Sequence, residues 1–254
     1  MEQFRALLVV DAEKFSTHPD AKLPDLHMEI RKVLARACHA SGNGLGVAWE
    51  NARFMESTGD GVLTILPYES SPALIDPFPR RLQDALHDAA PALRARELRL
   101  RLRVALHVGL VDDERSDAPG ISTATVDVSR LLDCTPLRAA LDDSDPKVTF
   151  AAFMLSEDIF RHLVLGGRTS MRESQFTEVA VKVKQYARPA YLYVPVPSTR
   201  SADPAGPSTV PERAQEASPS APGGTTVSGI TISGDGAQAA LGNTIGGDLR
   251  QERS

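Results

Sequence analysis

An uninterrupted apolar run, Ala6 to Val10, stops at Asp11, as a short buried strand would. Leu23, Leu26, Ile30, Val33, Leu34 and Ala37 follow at helical spacing, and Ser41-Gly-Asn-Gly supplies a stop. Val47 to Thr58 reads as a strand, Thr58-Gly-Asp-Gly61 as a tight turn, and Val62 to Leu66 as the hairpin partner. Pro79 to Leu93 predicts a second helix, with Leu82, Leu86, Ala89 and Leu93 on one face.

Leu98 to Leu106 alternates leucine or valine with arginine, the period of a half-buried strand. Its arginines, Arg99, Arg101 and Arg103, are expected on one solvated or dimer-facing side. Val126 to Leu141 predicts a helix, Val148–Phe153 a strand and Ser156–Leu165 a short helix. Val179–Lys184 and Ala190–Val196 close the series as two strands around a loop. The order β-α-β-β-α-β-α-β-α-β-β predicts an α/β (α+β) sandwich on the ferredoxin-like split βαβ plan, with helices packed on one mixed sheet.

The pattern then breaks. All thirteen aromatic residues lie at or before Tyr193, and seven of the 28 residues from Pro195 to Pro222 are proline. Such a stretch buries too little apolar surface to offset its ordering entropy. A folded domain over 1–197 and a Pro/Ser/Ala-rich disordered linker over 198–224 are therefore expected. In 225–254, Gly229-Ile-Thr-Ile-Ser-Gly-Asp235 returns thirteen positions later as Gly242-Asn-Thr-Ile-Gly-Gly-Asp248, five of seven positions identical. Strand formers between glycines, almost without charge, suit a short element that stacks with copies of itself; a disordered Gly-rich end is the competing reading.

Among 254 residues, 28 Lys+Arg face 33 Asp+Glu, a net charge of -5 that argues against nucleic acid as partner. Two cysteines, Cys38 and Cys134, without CxxC spacing exclude a disulfide scaffold or thiolate zinc site and read as buried apolar positions. No apolar run approaches a membrane span or a signal peptide, so a cytoplasmic chain without a membrane partner is expected.

Two carboxylates stand out by position. Asp11 ends the first strand and Asp60 sits in the turn of the next hairpin, which a ferredoxin-like sheet places alongside. Carboxylates on neighbouring strands suit a pair of Mg²⁺ ions that clamp a polyphosphate. Each alone is better explained by its turn or strand-end geometry. His107 reads as a packed structural histidine.

Together these segments resemble the class III nucleotidyl cyclases, the adenylate and guanylate cyclase catalytic domains. Leu8-Val-Val-Asp11-Ala-Glu-Lys-Phe15-Ser16 is similar to the family's first strand and its Asp-x-x-Gly-Phe-Ser/Thr segment. Ser57-Thr-Gly59-Asp60-Gly61 resembles its Gly-Asp hairpin, and Arg103-Val-Ala-Leu-His107-Val-Gly109 its following strand. Val126-Asp-Val-Ser-Arg130-Leu-Leu resembles the Val-Asn-x-Ala-x-Arg-Leu helix, and Val183-Lys184 with Tyr191-Leu-Tyr193-Val the closing hairpin.

The resemblance implies Asp11 and Asp60 as ligands of two Mg²⁺ or Mn²⁺ ions, with the backbone from Ala12 to Phe15 near a nucleoside triphosphate. It implies Arg130 on the α-phosphate in the transition state, Lys184 near the phosphates, and Phe15, Glu56 and Asp127 as nucleotide-binding positions. Glu56, four residues before Asp60, falls where the family reads the base. A carboxylate accepts the N–H donors of guanine, so GTP is favoured; uracil also has a ring N–H, so UTP stays open. A head-to-tail homodimer is implied, each site shared between two chains.

The chain also departs from the pattern. Val126 stands at the family's asparagine position with Asp127 one place off, Lys14 replaces the usual glycine, and Gln185 follows Lys184. Two functions fit. One is a divergent cyclase converting an NTP to cyclic nucleotide and pyrophosphate in signalling. The other is a catalytically silent nucleotide sensor or adaptor, whose end weakly resembles bacterial amyloid-type signalling motifs and recruits a partner carrying a similar one.

Overall fold

The computed structural model describes residues 1–115 and 117–200, which belong to one compact unit. The repeat expected in 225–254 and the linker from 201 onward lie outside the described residues. The described chain continues past 197: Ser198 Oγ accepts from the Asp145 N–H at 2.9 Å, and the Arg200 N–H donates to the Asp143 carbonyl at 2.8 Å.

Seven strands form one sheet in the order β2-β3-β1-β4-β5-β7-β6. They are β1 (Gln3–Ala12), β2 (Phe54–Ser57), β3 (Gly61–Pro67), β4 (Leu102–Val111), β5 (Ala151–Ser156), β6 (Thr177–Val183) and β7 (Tyr186–Tyr193). The first four, with helices α1 (Leu23–Ser41) and α4 (Phe78–Ala95), make the expected ferredoxin-like unit, β1 lying antiparallel between β3 and β4. β5 extends it parallel to β4, and the β6–β7 hairpin closes the far edge.

Alternation along each strand sorts side chains into two cores. Ala6, Leu8, Val10, Val104 and Leu106 face a layer built from α1, α4, α2 (Leu45–Glu50) and α3 (Ser71–Ile75). α7 (Glu157–Ile159), continued by a π-helical turn over Phe160–Leu165, packs on that same core. Leu7, Val9, Ile65 and Ala105 face the thinner cover of α5 (Thr123–Leu132) and α6 (Thr135–Asp142). Asp11, Arg103 and His107 share the parity of this second face.

Two expected elements are corrected. The strand over Val47 to Thr58 is helix α2 followed by the short β2, because Leu45, Gly46 and Trp49 are buried at helical spacing behind a left-handed Gly44. The helix over Val126 to Leu141 is two helices: Pro136 lies in the first turn of α6, where its missing N–H costs nothing, and Cys134 is the extended residue between them. The two cysteines are buried and free, as expected.

Candidate functional site

The hairpin turn brings Asp60 against the end of β1. Asp11 pairs with Gly61 across the β1–β3 ladder, and the Ala12 N–H donates to the Asp60 carbonyl at 2.9 Å. A Cβ on Gly61 would collide with the Val10 carbonyl oxygen, so only glycine permits this approach. Asp11 and Asp60 therefore share one rim of the sheet. Asp60 is half-exposed, whereas Asp11 is buried.

Asp11 is already occupied. Arg103, its partner across the β1–β4 ladder, donates from Nε to Oδ1 at 2.8 Å and from Nη2 to Oδ2 at 2.5 Å. Burial pushes the Asp11 carboxyl up to about 6, against the opposing pull of the guanidinium. The solvated arginine stripe expected on this strand is not found. Arg101 is buried and donates to Glu13, to the Thr149 and Leu141 carbonyls and to Ser144. Only Arg99 of the three is exposed.

Two Mg²⁺ or Mn²⁺ ions need free carboxylate oxygens. Both oxygens of Asp11 are taken by a forked cation, and among the described residues no group of three or more His, Cys, Asp or Glu side chains is placed to hold a metal ion. The residues as arranged do not fit the implied ion pair.

The backbone expected to approach the triphosphate is partly committed as well, since the Glu13 N–H donates to the Arg101 carbonyl at 2.9 Å. Lys14 is left-handed, at φ 56°, and exposed, while Phe15 packs half-buried on the larger core. Beside Arg103 an open cleft of about 200 Å³ is lined by Glu13, Lys14, Arg138 and Asp142. Glu56 is exposed on the edge strand β2, opposite Leu63 of β3, on the same face as Asp11.

The remaining candidates lie on α5 and on the β6–β7 hairpin. Helix α5 begins at Ser122, whose hydroxyl accepts from the Thr125 N–H at 3.2 Å, and runs back over β4, Ala124 above Gly109. Asp127 and Arg130, one turn apart, pair at 3.2 Å, and Arg130 Nε is buried without a partner among the described residues. Asp127 also lines a cavity of about 670 Å³ with His107, Asp158 and His162. His107 is the packed histidine expected, its Nδ1 2.8 Å from Ser156 Oγ. Lys184 is exposed in the left-handed turn of the β6–β7 hairpin. The two strands of that hairpin are three and four strand positions from β1, roughly 14 to 19 Å at ~4.8 Å per strand. One chain thus gathers Asp11, Asp60 and Glu56 on one rim and leaves Lys184 away from them.

Arg103 is the residue missed in the sequence. The signal was available: ferredoxin-like topology sets the first strand beside the one carrying Arg103, and their shared parity allows a meeting with Asp11.

No family model matches the sequence, and no curated protein matches it. Solved structures similar to it include the guanylyl cyclase Cya2, at 12% identity over 83% of this chain and 98% of that one, TM-score 0.47. A bacterial light-regulated adenylyl cyclase aligns at 14% identity over 80% of this chain and 55% of that one, TM-score 0.48. The catalytic core of a rhodopsin-guanylyl cyclase aligns at 11% identity over 78% and 97%, TM-score 0.42.

Proposed function

We propose that the folded part is a nucleotide-recognising module of cyclase type that is catalytically silent as it stands, and that the chain works as a signalling adaptor. The observation that carries this reading is the Arg103 guanidinium on both oxygens of Asp11. A forked cation there takes the place of a metal ion on Asp11 and leaves Asp60 without a companion ligand. Val126 adds to it, because a valine on α5 has no polar group to offer a ribose.

The rim keeps features suited to a nucleoside triphosphate. Lys14 and Arg138 border the open cleft next to Asp11 and supply cations for phosphate oxygens. Glu56 lies exposed on the same face, where its carboxylate accepts N–H groups of guanine, or of uracil. A second copy of the chain, head-to-tail, would cover the thinner face, where Val126 of α5 is 44% exposed. It would also bring Arg130 and Lys184 toward the rim of its neighbour. The repeat in 225–254 then serves as the recruiting end, held by a linker over 198–224.

Turnover of GTP or UTP to a cyclic nucleotide is the second reading, favoured by Asp11 and Asp60 sharing one rim. The deciding experiment incubates the full chain with each of the four NTPs and Mn²⁺ and resolves products by mass spectrometry. Bound NTP without cyclic product is expected. A cyclic product that disappears in Asp60→Ala would overturn silence and name the base.

A further inference from the structure

The end of α4 and the chain that returns from it form a second concavity, on the face of the sheet away from Asp11. Helix α4 stops at Ala95, Glu97 turns left-handed at φ 59°, and the Leu98 N–H donates to the Leu93 carbonyl at 2.9 Å. This reversal sets Arg94 and Arg99 on two sides of a narrow cleft floored by Leu93, Leu98, Leu100 and Phe150, all buried. A wider cleft of about 360 Å³ continues from it past His87 and Pro91. The two share Ala90, Arg94, Lys147 and Phe150.

The charges around these clefts are of one sign. Arg94, Arg99, Arg101 and Lys147 line them, and no carboxylate does. Arg101 is committed to Glu13 and the carbonyls described above. Arg94, Arg99 and Lys147 are exposed, and their side chains have no ion pair among the described residues. In a chain of net charge -5 with numerous surface ion pairs, three unpaired cations around an apolar floor are a local exception.

We propose that this concavity binds an amphipathic organic anion: one carboxylate, sulfonate or phosphate head held by Arg94, Arg99 and Lys147, with a compact apolar body over Leu98, Leu100 and Phe150. The wider cleft, at about 360 Å³, has the size of a small-molecule site, and the narrow one, at about 90 Å³, takes only the edge of the apolar body. A nucleic-acid backbone would need a longer basic stripe than three side chains at the mouth of a cleft. The cleft joins the nucleotide rim through one residue: Arg101 lines it, and its Nη1 holds Glu13, two positions after Asp11, at 2.8 Å.

The test uses the full chain and two probes of similar shape, 1-anilinonaphthalene-8-sulfonate and the uncharged N-phenyl-1-naphthylamine, with 1-naphthoate as competitor. One sulfonate bound per chain, displaced by 1-naphthoate, is expected. The double variant Arg94→Ala/Lys147→Ala should weaken it about tenfold, the loss of two charged contacts. Both side chains are exposed, so the fold should survive, as an unchanged circular dichroism melt will verify. Arg161→Ala, an exposed cation elsewhere, should bind as the parent does. Equal binding of the neutral probe, or equal weakening by Arg161→Ala, would overturn the proposal.

Discussion

Arg103 and Asp11 face each other across neighbouring strands, and the fork of one meets both oxygens of the other. Their side chains are 15% and 11% exposed, so each depends on the other for its charge to be tolerated. Removing one partner strands a buried charge. Arg103→Ala should therefore cost roughly 3 kcal/mol in urea unfolding. Replacing both, Asp11→Leu with Arg103→Leu, should recover most of it. Additive losses would show that the two are not coupled.

The same pair sets an expectation for divalent ions. Parent protein should bind Mn²⁺ weakly by electron paramagnetic resonance, whereas Arg103→Ala, still folded at low temperature, should gain a site. Asp60→Ala in that background should remove it. Strong Mn²⁺ binding by the parent would mean that the guanidinium yields readily.

His107 gives the fold a pH dependence. Burial holds its imidazole below the ordinary 6.5, against the pull of Asp158 and Asp127. The unfolded chain then takes up the proton first, so between 6.5 and the lowered value it binds more protons than the folded one. Stability is fully present above 6.5 and falls as pH drops through that window. His107→Gln should flatten this part of the melting-temperature profile; an unaltered slope would assign it to other groups.

Gly61→Ala tests the approach of the hairpin to β1. With the new methyl against the Val10 carbonyl, the strands must separate at the Asp11 pairing, at a cost of about 2 kcal/mol. Amide exchange should quicken at Ala12, whose N–H bonds the Asp60 carbonyl. A variant as stable and as protected as the parent would show that the turn relaxes freely.

Val126 is 44% exposed on α5, the helix that covers the thinner face of the sheet. If a second copy covers this face, Val126→Asp should shift the sedimentation of the full chain toward monomer. A monomeric parent would remove the dimer from the proposed function.

Much of the fold was legible because its signals are local. The Ala6–Val10 run, the glycines around Asp60 and the leucines of α4 each name their element, and their order names the ferredoxin-like plan. Helix α2 was not legible, because Leu45, Val47 and Trp49 suit strand and helix alike, and only packing against α1 decides. The site was half legible for a similar reason. Alternation located Arg101 and Arg103 on one side of their strand, but which side is covered depends on α5 and α6, distant in sequence. An arginine between leucines looks solvent-facing until the neighbouring strand supplies Asp11 and its loop supplies Glu13.

The two outer strands of the sheet are unlike its centre. One edge is β2, four residues long; the other is β6, which leaves Glu178 and Lys182 exposed while Val179, Val181 and Val183 are half-buried or buried. Short edges and exposed charge discourage a stray strand from adding to the ladder. If the repeat in 225–254 recruits by stacking on its own kind, these edges offer it poor purchase on the sheet. Growth would then proceed from tail to tail and leave each folded domain hanging free along the assembly.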